Sequence, residues 1–414
     1  YAALTASPEI GEGGCALADG LLAGDLSIRV DAKKLVGIYR EQIDGALQMF
    51  DQGFQQGLEQ AYGEQGAERM GATSMSTAMT DSVRTALDSI ETMDCVVNYG
   101  ESGRLDLDIA MQVAAGSPLD DADAAKTDLT ALATHLHGDF PCVLLFRFDM
   151  KGYMDMFGGV MDGVVQDLPE EKRAGFKAYL DRSVAVMDHL EDGWALGLDM
   201  SAKGFRAVMI ARAKDGQTYI EEYRELIASP ELVDMGMSFG NASERTVSGT
   251  QVHSGSFQID FVKYMSVLGM DESGAAPPGF VEAMTHFFGK NGMLFELATK
   301  DGLVYTTIGG DISLMDEALA DGKPPLHLET ALARVPGRCD FLLYLDFRGF
   351  LKGVWELVGQ FGDESFELSV PDGPPLPLTM TGASEGRVQR LGVSLELTQV
   401  AEFFKSIQKN SKRR

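Results

Sequence analysis

Apolar and polar positions alternate with period two in short runs along the chain, and four of these runs end on an aspartate followed by a helical stripe. The runs are Ile28-Arg29-Val30-Asp31, Phe146-Arg147-Phe148-Asp149, Phe257-Gln258-Ile259-Asp260 and Leu343-Tyr344-Leu345-Asp346. Counted from each Asp, position +4 holds Leu35, Tyr153, Tyr264 or Phe350, and position +5 holds Val36, Met154, Met265 or Leu351. Position +8 holds Tyr39, Phe157, Leu268 or Val354, so all twelve sites are apolar or aromatic. Recurrence of this kind predicts an internal repeat, which sets architecture ahead of any single residue.

Each strand-Asp-helix run is followed by two strand candidates around a turn: 94–99 with 105–113, 194–200 with 205–211, 292–298 with 303–308, and 378–381 with 388–397. Leu105, Leu107, Ile109 and Met111 alternate with Asp106 and Asp108, the pattern of a strand with one wet face. Asp301-Gly302 is a strong hairpin signal. Helical periodicity over 122–136, 219–227, 312–319 and 326–333 links the units, and the Met235, Met237, Phe239 alternation predicts an extra strand near 235–255.

The expected fold is therefore α+β, with four related strand-helix-strand-strand units in two tandem halves and antiparallel sheets packed on Gly-rich helices. The halves are 1–234, with units at about 25–137 and 138–234, and 235–414, with units at about 235–335 and 336–414. In the first unit Leu35, Tyr39, Ile43, Leu47, Phe50, Phe54 and Leu58 mark one face of a long helix, expected to be core. Gly37, Gly45, Gly53 and Gly57 interrupt it, as Gly152, Gly158, Gly159 and Gly163 interrupt the second copy and Gly349, Gly353 and Gly359 the fourth. Each such glycine costs about 0.8–1 kcal/mol relative to Ala in a helix, so close packing against the backbone is expected there.

Composition narrows function by exclusion. A net charge of -27 repels nucleic acid and anionic membranes, and no apolar run reaches the roughly 18 residues needed to span a bilayer. The opening at Tyr1 rather than Met leads to the expectation of a removed export signal and a secreted or periplasmic protein. Cys15, Cys95, Cys142 and Cys339 are disulfide candidates with three possible connectivities, and four buried thiols are the other reading.

Candidate chemistry is sparse. Asp31, Asp149, Asp260 and Asp346 stand where a carboxylate caps a helix, and that structural role is expected of all four. His135, His137 and Asp139 have ligand-like spacing but fall at a helix end where i and i+2 do not share a face, so no metal is expected. Hydrolase, metalloprotease, dinucleotide and P-loop motifs are absent, and no cofactor is expected. The run Leu332-Ala333-Arg334-Val335-Pro336 through Leu342-Leu343-Tyr344-Leu345-Asp346-Phe347-Arg348-Gly349, with its looser copy at 136–152, resembles repeats in uncharacterised secreted bacterial proteins grouped under a domain of unknown function. That resemblance implies export and repeated α+β units and supplies no catalytic residue; the third copy lacks the Pro junction. The expected function is a non-enzymatic exported binding or scaffold protein. The alternative is a carrier whose lipid or other apolar ligand lies between helix and sheet at Tyr153, Met154, Phe157, Met161, Phe350, Leu351 and Trp355, and an enzyme with a spatially assembled site comes third.

Overall fold

A computed structural model describes residues 26–411 except 70–71, 101–102, 121–128, 148–164, 166–169, 202–203, 264–291, 310–311, 321, 336–337 and 360–369. The strands are β1 (Leu26–Asp31), β2 (Ile90–Tyr99), β3 (Arg104–Val113), β4 (Cys142–Arg147), β5 (Leu190–Ser201), β6 (Gly204–Ala213), β7 (Met237–Val247), β8 (Thr250–Ile259), β9 (Met293–Lys300), β10 (Leu303–Ile308), β11 (Arg338–Asp346), β12 (Pro377–Glu385) and β13 (Val388–Glu396). The described helices are α1 (Ala32–Ile38), α2 (Arg40–Arg69), α3 (Ala72–Ser89), α4 (Thr130–Ala133), α5 (Glu170–Met187), α6 (Gly216–Ile227), α7 (Pro230–Asp234), α8 (Ile312–Ala318), α9 (Leu326–Leu332), α10 (Phe347–Gly359) and α11 (Leu397–Ser411).

All thirteen strands form one sheet in the order β1-β2-β3-β13-β12-β11-β4-β5-β6-β10-β9-β8-β7. Every ladder is antiparallel. The sequence pattern predicts several sheets; instead, pairings such as Gly392↔Asp108 and Leu343↔Leu144 join strands far apart in the chain. Strands on both sides of residue 234 are interleaved, because β11–β13 sit between β3 and β4. The predicted Asp301-Gly302 turn joins β9 to β10 with φ values of 53° and 76°, the left-handed pair that matches strand twist.

Side chains of successive strand residues enter two cores on opposite faces. Val143, Leu145, Ala195, Ile210, Ala298 and Tyr305 pack under α4, α8 and α9, while their neighbours Trp194, Ala211, Leu297 and Val304 pack under α5, α6 and α7. Every buried member of both cores lies between Leu129 and Tyr344. The stretch 26–113 is built differently: among the described residues its buried apolar side chains are Ala32, Val96, Ala110 and Val113.

Fully buried Glu296 on β9 ties the edge of the first core together. Arg245 of β7 donates to Glu296 through Nε at 3.1 Å and Nη2 at 3.0 Å, and Ser254 of β8 donates at 2.8 Å. Arg245 also pairs with Asp316 on α8, so the network crosses from β7 to β9 and up to the covering helix.

Candidate functional site

The most unusual surface is on the first quarter of the chain. Of the fifteen large apolar side chains exposed among the described residues, ten lie between Leu26 and Tyr99. They include Leu26 and Ile28 on β1, Ile38 at 66% on α1, Met49 at 69% and Phe50 on α2, and Met79 and Val83 on α3. Isolated apolar residues on a surface need no explanation, whereas ten within one stretch of the chain do.

The hairpin of α2 and α3 mixes polar with apolar burial, since Ile43, Leu47, Phe54 and Leu58 are half-buried on α2. Its seam buries Ser76 completely and Thr80 at 5% exposure, and Gln55 Nε2 donates to Ser76 Oγ at 3.3 Å. Arg84 Nε donates to Asp44 Oδ1 at 3.3 Å, and Arg40 Nη2 donates to Asp88 Oδ2 at 3.2 Å, which holds the Asp88 carboxyl below the usual range. A cleft of about 700 Å³ opens along this seam, lined among others by Arg40, Asp44, Gln48, Asp51, Thr77 and Arg84. Each arginine there is already matched by carboxylates, so the cleft suits water and small polar solutes rather than a lipid.

This arrangement corrects the expected core helix. The predicted long helix breaks at Tyr39, and of its apolar stripe Leu35, Tyr39 and Phe50 are 42%, 49% and 45% exposed while Ile43, Leu47, Phe54 and Leu58 are half-buried. The glycine expectation also fails here: a Cβ at Gly37, Gly45, Gly53 or Gly57 meets nothing within 4 Å. The reason is the partner: α2 packs chiefly on α3 and not on the sheet. Close approach does hold at Gly349 on α10, where a Cβ would lie 2.5 Å from Asp346 Oδ2 and 3.3 Å from Pro141.

The sheet's two edges differ. β7 carries a bulge between Gly240 and Ser243, a positive φ of 52° at Asn241, and an exposed polar run over 240–244. Those are devices that block further strand pairing. β1 has none of them: it runs in unbroken register with β2 and is exposed at five of six positions.

The sequence-selected residues scatter. Asp31 accepts from Lys34 N at 2.9 Å, Asp260 from Lys263 N at 3.0 Å, and Asp346 from Arg348 N at 3.1 Å and Leu376 N at 2.8 Å. Their strands are first, twelfth and sixth across the sheet, so at about 4.8 Å per strand these carboxylates are tens of ångströms apart. Asp149, Tyr153, Met154, Phe157 and Met161 lie outside the described residues, while Phe350, Leu351 and Trp355 are half-buried on α10, which crosses β5 and β11.

His135 Nδ1 lies 3.3 Å from Tyr305 Oη, His137 Nδ1 faces the Glu317 carbonyl at 3.4 Å, and Asp139 lies 3.5 Å from His327, so the His-x-His-x-Asp run serves three separate neighbours. Burial holds the His135 and His327 imidazoles below their ordinary value and pushes the Tyr305 and Tyr344 phenols up to about 12. No group of metal-ligating side chains converges among the described residues. Cys95, Cys142 and Cys339 are free thiols, and Cys15 lies outside the described residues. Cys142 pairs in register with Leu345, six positions along β11 from Cys339, well beyond the roughly 7 Å limit for a bridge.

Sequence reasoning missed the buried polar groups of the hairpin, Ser76 and Thr80. Their signal is the polar stripe Ser76, Thr80, Arg84 at a spacing of four, on a helix whose Met79 and Val83 repeat at the same spacing. No protein family, curated protein or solved structure matches the chain.

Proposed function

We propose that this is a non-enzymatic binding or scaffold protein that docks a protein partner on the surface formed by residues 26–99. One observation carries the reading: among the described residues the stretch 26–113 buries four apolar residues yet displays ten large apolar side chains, while Ser76 and Thr80 of its helical hairpin are buried. A lone segment of this kind gains little from folding; covering its apolar face supplies the missing burial at roughly 25 cal/mol per Å². Four related units are part of the proposal, supported by the adjacency of β1-β2-β3, β4-β5-β6, β8-β9-β10 and β11-β12-β13 and by the capping Asp at the ends of β1 and β11 and just after β8. Export belongs to it through the resemblance of the 332–349 run to secreted repeat proteins.

The test is capture from an extract of the source organism with full-length protein and with a Met49→Ser, Phe50→Ser, Met79→Ser, Val83→Ser variant. A stoichiometric protein retained by the first and lost by the second, at unchanged circular dichroism, is the expected result. Equal capture by both, or a defined turnover reaction on the purified protein, sinks the reading.

A further inference from the structure

We propose that residues 26–113 form a conditionally folded arm, which opens from β13 and loses its structure as one cooperative body while the two-core body beside it stays folded. The inference goes beyond the docking reading and stands without it. It is carried by two ladders of equal register whose side chains differ.

Ser201↔Gly204, Lys300↔Leu303 and Glu385↔Val388 pair across two intervening residues each, so Gly204, Leu303 and Val388 are equivalent first positions of β6, β10 and β13. The β6–β10 ladder sets Val208 against Thr307, the fifth position of each strand. The β3–β13 ladder sets Asp108 against Gly392, again the fifth position of each, counted from Arg104 and Val388. The backbone thus pairs both joints alike, and side chains decide which holds better.

β6 buries Ala207, Val208, Ile210 and Ala211, and β10 buries every residue from Leu303 to Thr307. In contrast, β3 buries Ala110 and Val113, and every residue of β13 is half-buried. At the centre of the first joint Val208 and Thr307 are 3% and 2% exposed, whereas Asp108 is exposed opposite a glycine that has no side chain to cover it. Apolar burial is the larger contribution, because a ladder hydrogen bond only replaces one to water. The β3–β13 joint is therefore the weaker of two like joints.

The seams inside the arm are largely polar. Arg29 donates to buried Asp94 at 2.6 and 2.9 Å, Gln55 donates to Ser76, and Arg40 and Arg84 pair with Asp44 and Asp88 at exposed positions. Exposed pairs of that kind add little. Regions held in this way open as units at less than the global cost. A partner that covers the apolar surface of the arm then also draws its opening equilibrium to the folded side.

Hydrogen exchange of the full chain, with no partner added, reads the opening. Amides of β2 and β3 should exchange together, with an opening constant about a hundredfold above that of β6 and β10. Asp108→Val, which supplies the residue found at the same position of β6, should lower that constant about tenfold and leave β6 and β10 unchanged. The urea dependence of exchange in β2 and β3 should be shallower than that of global unfolding, since part of the chain's surface becomes exposed and the rest stays covered. One opening constant for all four strands, separate exchange of β2 and β3, a slope equal to that of global unfolding, or no response to Asp108→Val overturns the proposal. An arm that opens as described but captures no partner sinks the docking reading alone.

Discussion

Glu296 shows how much can hang on one carboxylate. With no exposure at all, it is held by Arg245, Ser254 and Thr307. Arg245→Ala leaves that charge buried beside two hydroxyls and should cost about 3–5 kcal/mol in urea unfolding. Replacing both partners, Arg245→Met with Glu296→Leu, should cost less than the single change, because no charge is then stranded. The histidines act in a different pH window. Burial lowers the imidazole pKa of His135, His253 and His327 below the ordinary 6.5. The unfolded chain therefore takes up protons first as pH falls through about 6.5, and stability drops until the folded values are reached; above that window these groups contribute nothing to the pH dependence. The Tm should fall between about pH 7.5 and 5.5, and His327→Gln should shrink that fall. None of this is legible in the sequence, where Glu296 is one acid among many and the histidines have no motif; burial is decided by which strands become neighbours.

Glycine means opposite things in two helices that share a Gly-punctuated apolar pattern. Gly53 on α2 faces open space, so Gly53→Ala should raise stability by about 0.5–1 kcal/mol through helix propensity alone. Gly349→Ala should lower it by about 1–3 kcal/mol, since the new methyl meets the Asp346 carboxylate and Pro141. Thermal unfolding of the two variants reads both signs, and a destabilised Gly53→Ala would mean that something packs on α2. The caps divide in the same way: Asp31→Ala should cost about 1 kcal/mol. Asp346→Ala should cost more, because Asp346 Oδ1 also accepts from Leu376 N, just ahead of β12. Period and turn chemistry make most strands legible, as at Asp301-Gly302, and the capping Asp positions likewise. The helix after β1 is the exception, because an apolar stripe records which face is apolar and says nothing of whether the protein itself covers that face.

At the scale of the molecule, the strand order governs behaviour. β11–β13 fill the gap between β3 and β4, so a fragment ending at residue 234 lacks a neighbour of each of those strands. Such a fragment should aggregate or unfold without cooperativity, as denaturant titration would show, although its boundary looks natural in the sequence. Long-range pairing is the part of a fold that local pattern carries least. The same order has a consequence for synthesis. Val388, the start of β13, follows Val113, the end of β3, by 275 positions (388 minus 113), which at translation speeds of about 5–20 residues per second is roughly 14–55 s. Throughout that interval the inner edge of β3 waits for a partner still unmade, within reach of any other nascent strand. A cell that makes this protein must shelter a growing chain whose keystone arrives long after its neighbour, and termination ahead of residue 388 would leave β3 without that strand beside it.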